Sequence, residues 1–105
     1  MMASLEAVGE NAFALKGNLD FQSVAALWEQ TQDLFGEHPP LHIDLAGVKR
    51  SDSSGVALLV EWLRQARVRS RDLRFANMPP QMQAIVRVAD LDQVLRVDPV
   101  DGHDP

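Results

Sequence analysis

The residues best placed for chemistry lie in one short run, Ser51-Asp52-Ser53-Ser54-Gly55, where three hydroxyls and a carboxylate stand directly ahead of an apolar stretch. Three kinds of chemistry are open to such a run. A serine nucleophile needs a tight G-x-S-x-G turn and a base, but Asp52 stands where a small residue is wanted. The histidines offer no evident base: His103 lies in the tail, His38 precedes Pro39-Pro40, and His42 alternates with apolar positions. A second option is an acidic metal pocket built from Asp20, Asp44 and Asp52, all near strand ends or loops. Their simpler use is local, with Asp20 and Asp52 capping helices and Asp44 bonding turn N–H groups. No metal and no other cofactor is predicted. The third option is recognition. A serine at a helix start meets unpaired N–H groups and the positive end of the helix dipole. That suits a regulated phosphoserine or a polar contact in a protein interface.

The elements that must position this run follow from apolar spacing. Leu41, Ile43 and Leu45 alternate with His42 and Asp44, the period-two pattern of a half-buried strand, and Ala46-Gly47 is expected to end it. Val56, Leu59, Val60, Leu63 and Ala66 then recur at helical period, predicting a helix over Ser54–Arg69 with Asp52 or Ser53 as N-cap. Leu58, Trp62 and Gln65 fall on an adjacent strip, displaced from the centre of that stripe. Trp62 is therefore read equally as a partly buried core residue and as an interface anchor, whereas Trp28 is expected to be core. Leu5–Val8 and Ala12–Leu15 form short strands joined at Gly9-Glu10-Asn11, with Gly17-Asn18 as punctuation. A first helix runs from Ser23 and stops at Gly36 before the two prolines. Leu73–Ala76 is a further strand. A third helix opens at Pro79-Pro80, with Met82, Ile85, Val86 and Ala89 as its buried stripe. Leu91, Val94, Leu95 and Val97 form a short final element. The order ββαβαβα(β) predicts an α/β fold with a mixed sheet and three main helices, the crossovers running parallel. One domain is expected over residues 1–98, with a disordered tail at 99–105.

Composition narrows the functional classes. A chain of 105 residues suffices for one core, and a net charge of −5 argues against binding nucleic acid through its phosphates. The absence of cysteine excludes disulfides and thiolate chemistry. VALLV is interrupted by Glu61, far short of the roughly 20 apolar residues that span a bilayer. MMASLEAVGE has no basic segment of a secretory signal. A cytoplasmic protein without direct membrane insertion is expected.

LKGNLD at Leu15–Asp20, IDLAGV at Ile43–Val48 and SDSSGVALL at Ser51–Leu59 resemble the signature segments of STAS domains, the small α/β modules of anti-anti-sigma factors and certain transporters. The likeness runs from about Leu5 to Val97 and implies the STAS (anti-anti-sigma-like) fold. Ala26-Leu27-Trp28-Glu29, Ile43-Asp44-Leu45 and Val56–Leu59 are most similar to the stand-alone STAS subunit of the maintenance-of-lipid-asymmetry (Mla) phospholipid ABC transporter of Gram-negative bacteria. That resemblance implies a non-catalytic subunit that binds the cytoplasmic ATPase, and through it the permease, at the inner membrane. It also implies partner contacts at Ser51, Asp52, Ser53, Ser54 and Gly55 and along the helix at Leu58 and Trp62. The transporter branch often has Thr-Gly at the positions of Ser53-Ser54, and the serine pair is closer to anti-anti-sigma factors. The alternative is therefore an anti-anti-sigma factor whose partner is an anti-sigma factor kinase, with Ser53 as the candidate phospho-acceptor. Asp90 stands where many STAS domains carry Gly, at a helix end that favours the left-handed conformation.

Overall fold

A computed structural model describes residues 3–31, 41–91, 94–95 and 97–98. Their order is β1 (Ser4–Gly9), β2 (Ala12–Leu19), α1 (Phe21–Gln30), β3 (Leu41–Ser51), α2 (Ser53–Val68), β4 (Leu73–Ala76), α3 (Pro80–Val88) and β5 (Val97–Asp98). The strands lie side by side in chain order. β1 and β2 form an antiparallel hairpin, and every later pair is parallel. Each crossover steps the same way across the sheet, and a uniform right-handed crossover then lays all three helices on one face. β3 reflects this arrangement: Leu41, Ile43 and Leu45 are buried under the helices while His42 is exposed on the other side. α1 ends at Gln30 with Thr31 as its C-cap, short of the stop expected at Gly36; Gly36 itself and the tail 99–105 lie outside the described residues.

β3 does not end at Ala46-Gly47 as its sequence suggests, but runs on to Ser51. β2 likewise continues past Gly17-Asn18 to Leu19. Two register shifts in the β2–β3 ladder, between Ala14 and Lys16 and between Gly17 and Asn18, absorb the irregular residues. Gly17 takes φ 98°, open to glycine at no steric cost. The extension is what carries both strands to a common edge, where α1 and α2 begin.

Helix starts follow their capping residues. The Asp20 carboxylate accepts from the Ser23 N–H at 2.9 Å, and the Ser23 hydroxyl is bonded in return by the Asp20 N–H, so α1 begins at Phe21 and not at Ser23. The Ser23 N–H at this carboxylate holds its pKa below the ordinary value. Asp52 caps α2 by accepting from the Ser54 N–H at 2.8 Å. Asp44 accepts from the Ala46 N–H at 2.9 Å, so each of the three aspartates bonds backbone within four residues of itself. α3 opens with Pro80 at its first position, where a missing N–H costs nothing. Beyond its end, Asp90 takes φ 60°, the left-handed conformation that the resemblance implied for this position. Met82 and Val86 bury the face of α3, Ile85 is half-buried, and Ala89 at the C-cap is exposed instead of core.

The core face of α2 differs from the sequence stripe by a small rotation. Val56, Leu58, Leu59, Trp62 and Ala66 are buried, whereas Val60 and Leu63 are only half-buried. Trp62 is fully buried, and its indole N–H donates to the Thr31 hydroxyl at 2.9 Å, tying α2 to the end of α1. Trp28, expected in the core, is half-buried and packs against the core's margin. No helix among the described residues is long and apolar enough to cross a membrane.

Candidate functional site

The site is the edge where β2 and β3 turn into their helices. Leu19 and Ser51 end the two strands as partners in the ladder, and the Asp52 N–H donates to the Leu19 carbonyl at 3.0 Å. The helix starts Asp20-Phe21 and Asp52-Ser53 therefore stand next to each other. At this edge β3 has outrun β4, whose last ladder partner on β3 is Asp44. The Gln81 side chain takes the place of the missing strand. Its carbonyl accepts from the Ser51 N–H at 2.9 Å, and its amide donates to the Ser51 carbonyl at 2.6 Å. The first turn of α3 thus holds the last residue of β3, and with it the start of α2. Nothing in the sequence around Pro79-Pro80 signals this role, because it depends on a residue 30 positions away.

The predicted partner contacts divide sharply. Asp52 and Ser53 are exposed and Ser54 is half-buried. Ser51 is buried, with its hydroxyl donating to the Asp52 carbonyl at 2.8 Å, and so shapes the turn from below. Gly55 is buried because α2 passes close over Leu19 and Ser51; a Cβ there would meet the Ser51 Oγ and lie 2.8 Å from the Leu19 Cβ. Trp62 is 0% exposed, so the proposed direct contact through it is corrected; Leu58, 2% exposed, is reachable only as a lining residue of a groove between α1 and α2. The physical reason is that α2 sits between α1 and α3, which bury a wider arc of it than its strongest apolar stripe implies. What this edge itself presents to a partner is Asp52, Ser53 and Ser54, with Phe21, 77% exposed, as the first residue of the neighbouring helix α1.

The chemistry available to Ser53 is limited by what surrounds it. His42 lies eleven residues before Ser53, nine of them along β3 and spanning about 25–30 Å at strand rise, beyond any hydrogen-bond relay to Ser53. A hydroxyl on the first residue of a helix, next to a carboxylate cap, can contact a partner or carry a phosphate; a phosphate would add up to about two negative charges beside Asp52.

Replacing Gln81 tests the bracing of this edge. Gln81→Leu removes both side-chain bonds to Ser51 and should raise amide exchange at Ser51, Asp52 and Ser54 by about tenfold or more, at about 1 kcal/mol per net hydrogen bond, while exchange in β2 and the middle of α2 stays unchanged. Exchange mass spectrometry on the two chains reads this directly. Unaltered exchange at the α2 start would show that α3 does not hold it.

A small mixed sheet covered on one face by helices, with an exposed serine at the start of the second helix, defines a regulatory or binding module of the STAS type. Residues 5–97 match the family model described as "Mlab, STAS domain", and the chain belongs to this STAS family. Among solved structures, the anti-sigma factor antagonist SpoIIAA in its unphosphorylated form is similar, with a TM-score of 0.70 and 18% identity over 91% of this chain and 87% of that one. The Bacillus cell fate determinant SpoIIAA in its phosphorylated form is similar too, with a TM-score of 0.67 and 19% identity over 91% and 90%. At these identities the likeness is one of fold. A comparison with curated protein sequences gives no match.

Proposed function

We propose that this chain is a non-catalytic subunit that binds and supports the cytoplasmic ATPase of a phospholipid-transport ABC transporter maintaining outer-membrane lipid asymmetry. The observation that carries the reading is the exposed Asp52-Ser53 start of α2, braced from three sides, in a family whose description bears the Mla name. A rigid polar helix start is suited to docking because little conformational entropy is lost on binding. Through the ATPase the chain sits at the inner membrane without entering it.

Co-expression with the transporter's ATPase and permease is the test. The chain should co-purify with the ATPase and raise ATP turnover of the assembled transporter. Ser53→Arg should weaken the complex by at least about tenfold, as expected for a bulky charge forced into a docked centre. The isolated variant should keep its unfolding midpoint, since an exposed substitution costs within about 0.5 kcal/mol. Failure of the wild-type chain to co-purify or to alter turnover would end the transporter reading. Unfolding of Ser53→Arg would make the residue structural.

One observation favours a second reading. Ser53 is exposed and is the first serine of the D-S-S-G run, which is where an anti-anti-sigma factor would be phosphorylated by an anti-sigma factor kinase. Intact-mass measurement of the protein from its native host, with Ser53→Ala as control, separates the two. A substantial phosphorylated fraction that varies with growth conditions would favour the switch.

A further inference from the structure

Beside the Asp52-Ser53 edge, α1 and α2 leave a groove that the docking loop alone does not explain. Its walls are Val24 and Trp28 from α1 and Ala57, Leu58 and Glu61 from α2, enclosing about 240 Å³. Phe21, Val24 and Trp28 recur at i, i+3 and i+7, and Ser53, Ala57 and Glu61 at i, i+4 and i+8, so each helix presents one continuous strip. Both strips begin at the edge that carries Ser53. Buried Leu58 lines it from below, and exposed Phe21 begins the α1 strip.

The volume and the charges together select an occupant. Small-molecule sites run to roughly 300–1,000 Å³, so this groove is on the scale of one or two apolar side chains. Residues 20–31 and 52–63 contain four carboxylates, Asp20, Glu29, Asp52 and Glu61, and neither lysine nor arginine. Glu61 pairs with Arg64 at 3.1 Å, but both are solvent-exposed enough for that pair to be weak and exchangeable. Lys49 and Arg50 are exposed on the preceding strand end, ahead of the Asp52 cap. A second copy docked through the same surface would set these carboxylates against their own copies, and an anionic lipid head group would meet the same repulsion. We propose that the α1–α2 groove receives an apolar anchor of a partner protein's amphipathic helix whose flanks carry lysine or arginine. The inference rests on the docking reading and extends it, making Ser53 the polar rim of an interface whose energy comes from the anchor in the groove.

Two measurements test it. In the first, the isotopically labelled full chain is titrated with a helical peptide bearing Leu at i, i+3, i+4 and i+7 between lysine flanks, and with its glutamate-flanked twin. Resonances of residues 21–28 and 53–61 should move with the lysine peptide only, and the affinity should fall with added salt. Ala57→Trp, at an exposed position, should fill the groove and weaken binding by about tenfold or more. No shift in those residues, equal response to both peptides, or concentration-dependent shifts without peptide, the mark of a second copy, would overturn the proposal. In the second, Ala57→Trp and Glu61→Lys are co-expressed with the transporter's ATPase. Undiminished co-purification of both variants would defeat the groove while leaving the transporter reading intact. Absence of co-purification by the wild-type chain would defeat the transporter reading, and the peptide titration would still decide the groove.

Discussion

Trp62→Ala should destabilise the domain by about 3–5 kcal/mol, the cost of emptying a fully buried aromatic site. Small domains hold only about 5–15 kcal/mol in total, so a large share of the molecules would be unfolded under mild conditions. Trp62 is fully buried, and its indole N–H is bonded to the Thr31 hydroxyl at 2.9 Å. Thr31 is itself buried and spends its own hydroxyl proton on the Leu27 carbonyl at 2.8 Å, so the indole is a donor it can accept from inside the core. Trp62→Phe keeps much of the ring and removes the donor; its smaller loss, about 1–3 kcal/mol, would be partly the hydrogen bond and partly the smaller ring. Urea denaturation of the three chains measures both. A change below about 1 kcal/mol for Trp62→Ala would mean that this ring is not in the core. Loss of partner binding by Trp62→Ala would follow from unfolding, and says nothing of a contact.

Gly55→Ala is the second large effect, and its sign is informative. Helix propensity alone favours alanine over glycine by about 1 kcal/mol. Packing opposes it, because the added Cβ would meet the Ser51 Oγ and lie 2.8 and 2.9 Å from the Leu19 Cβ and Cδ1. These neighbours belong to two strands and cannot both move aside, so overpacking of about 1–3 kcal/mol should win. Gly55→Val should be worse. Ser51→Ala removes the nearest atom and should recover part of the loss in the Gly55→Ala background, with a coupling of about 0.5 kcal/mol or more. Equilibrium unfolding of the single and double variants checks this. A stabilised Gly55→Ala would show that α2 does not pass so close to β2 and β3. In a destabilised one the start of α2 should shift, weakening any partner docked on Ser53 without altering the serine.

The fate of the two tryptophans explains where sequence reading stops. Each lies on an amphipathic helix, and the apolar stripe of each helix ranks Trp28 as core and Trp62 as marginal. In the fold Trp62 is fully buried, while Trp28 is only half-buried against the margin of the core. α1 is covered on one side only, so Leu27 goes into the core while Trp28 borders the groove. α2 lies centrally, with α1 and α3 on either flank, and its buried arc widens to include Leu58 and Trp62. Periodicity measures the direction of a helix's apolar face, but the width of the buried arc is set by how many neighbours the helix has.

Much else was legible in the residues. The ββαβαβα order, the mixed sheet, the hairpin before the first crossover, the caps at Asp20 and Asp52 and the proline start of α3 are all local properties. Capping, turn conformation and period-two alternation act within a few residues of chain, so they are written where they operate. The serine at a helix start belongs to the same class. What only the tertiary structure decided is non-local. The continuation of β3 through Gly47 depends on bulges shared with β2. The seat of Ser51 depends on Gln81, 30 residues on. The division of Ser51–Gly55 into exposed Asp52 and Ser53, half-buried Ser54, and buried Ser51 and Gly55 depends on Leu19 closing against the first turn of α2. Burial is a sum over neighbours brought together by folding, and no stretch of sequence contains its own neighbours.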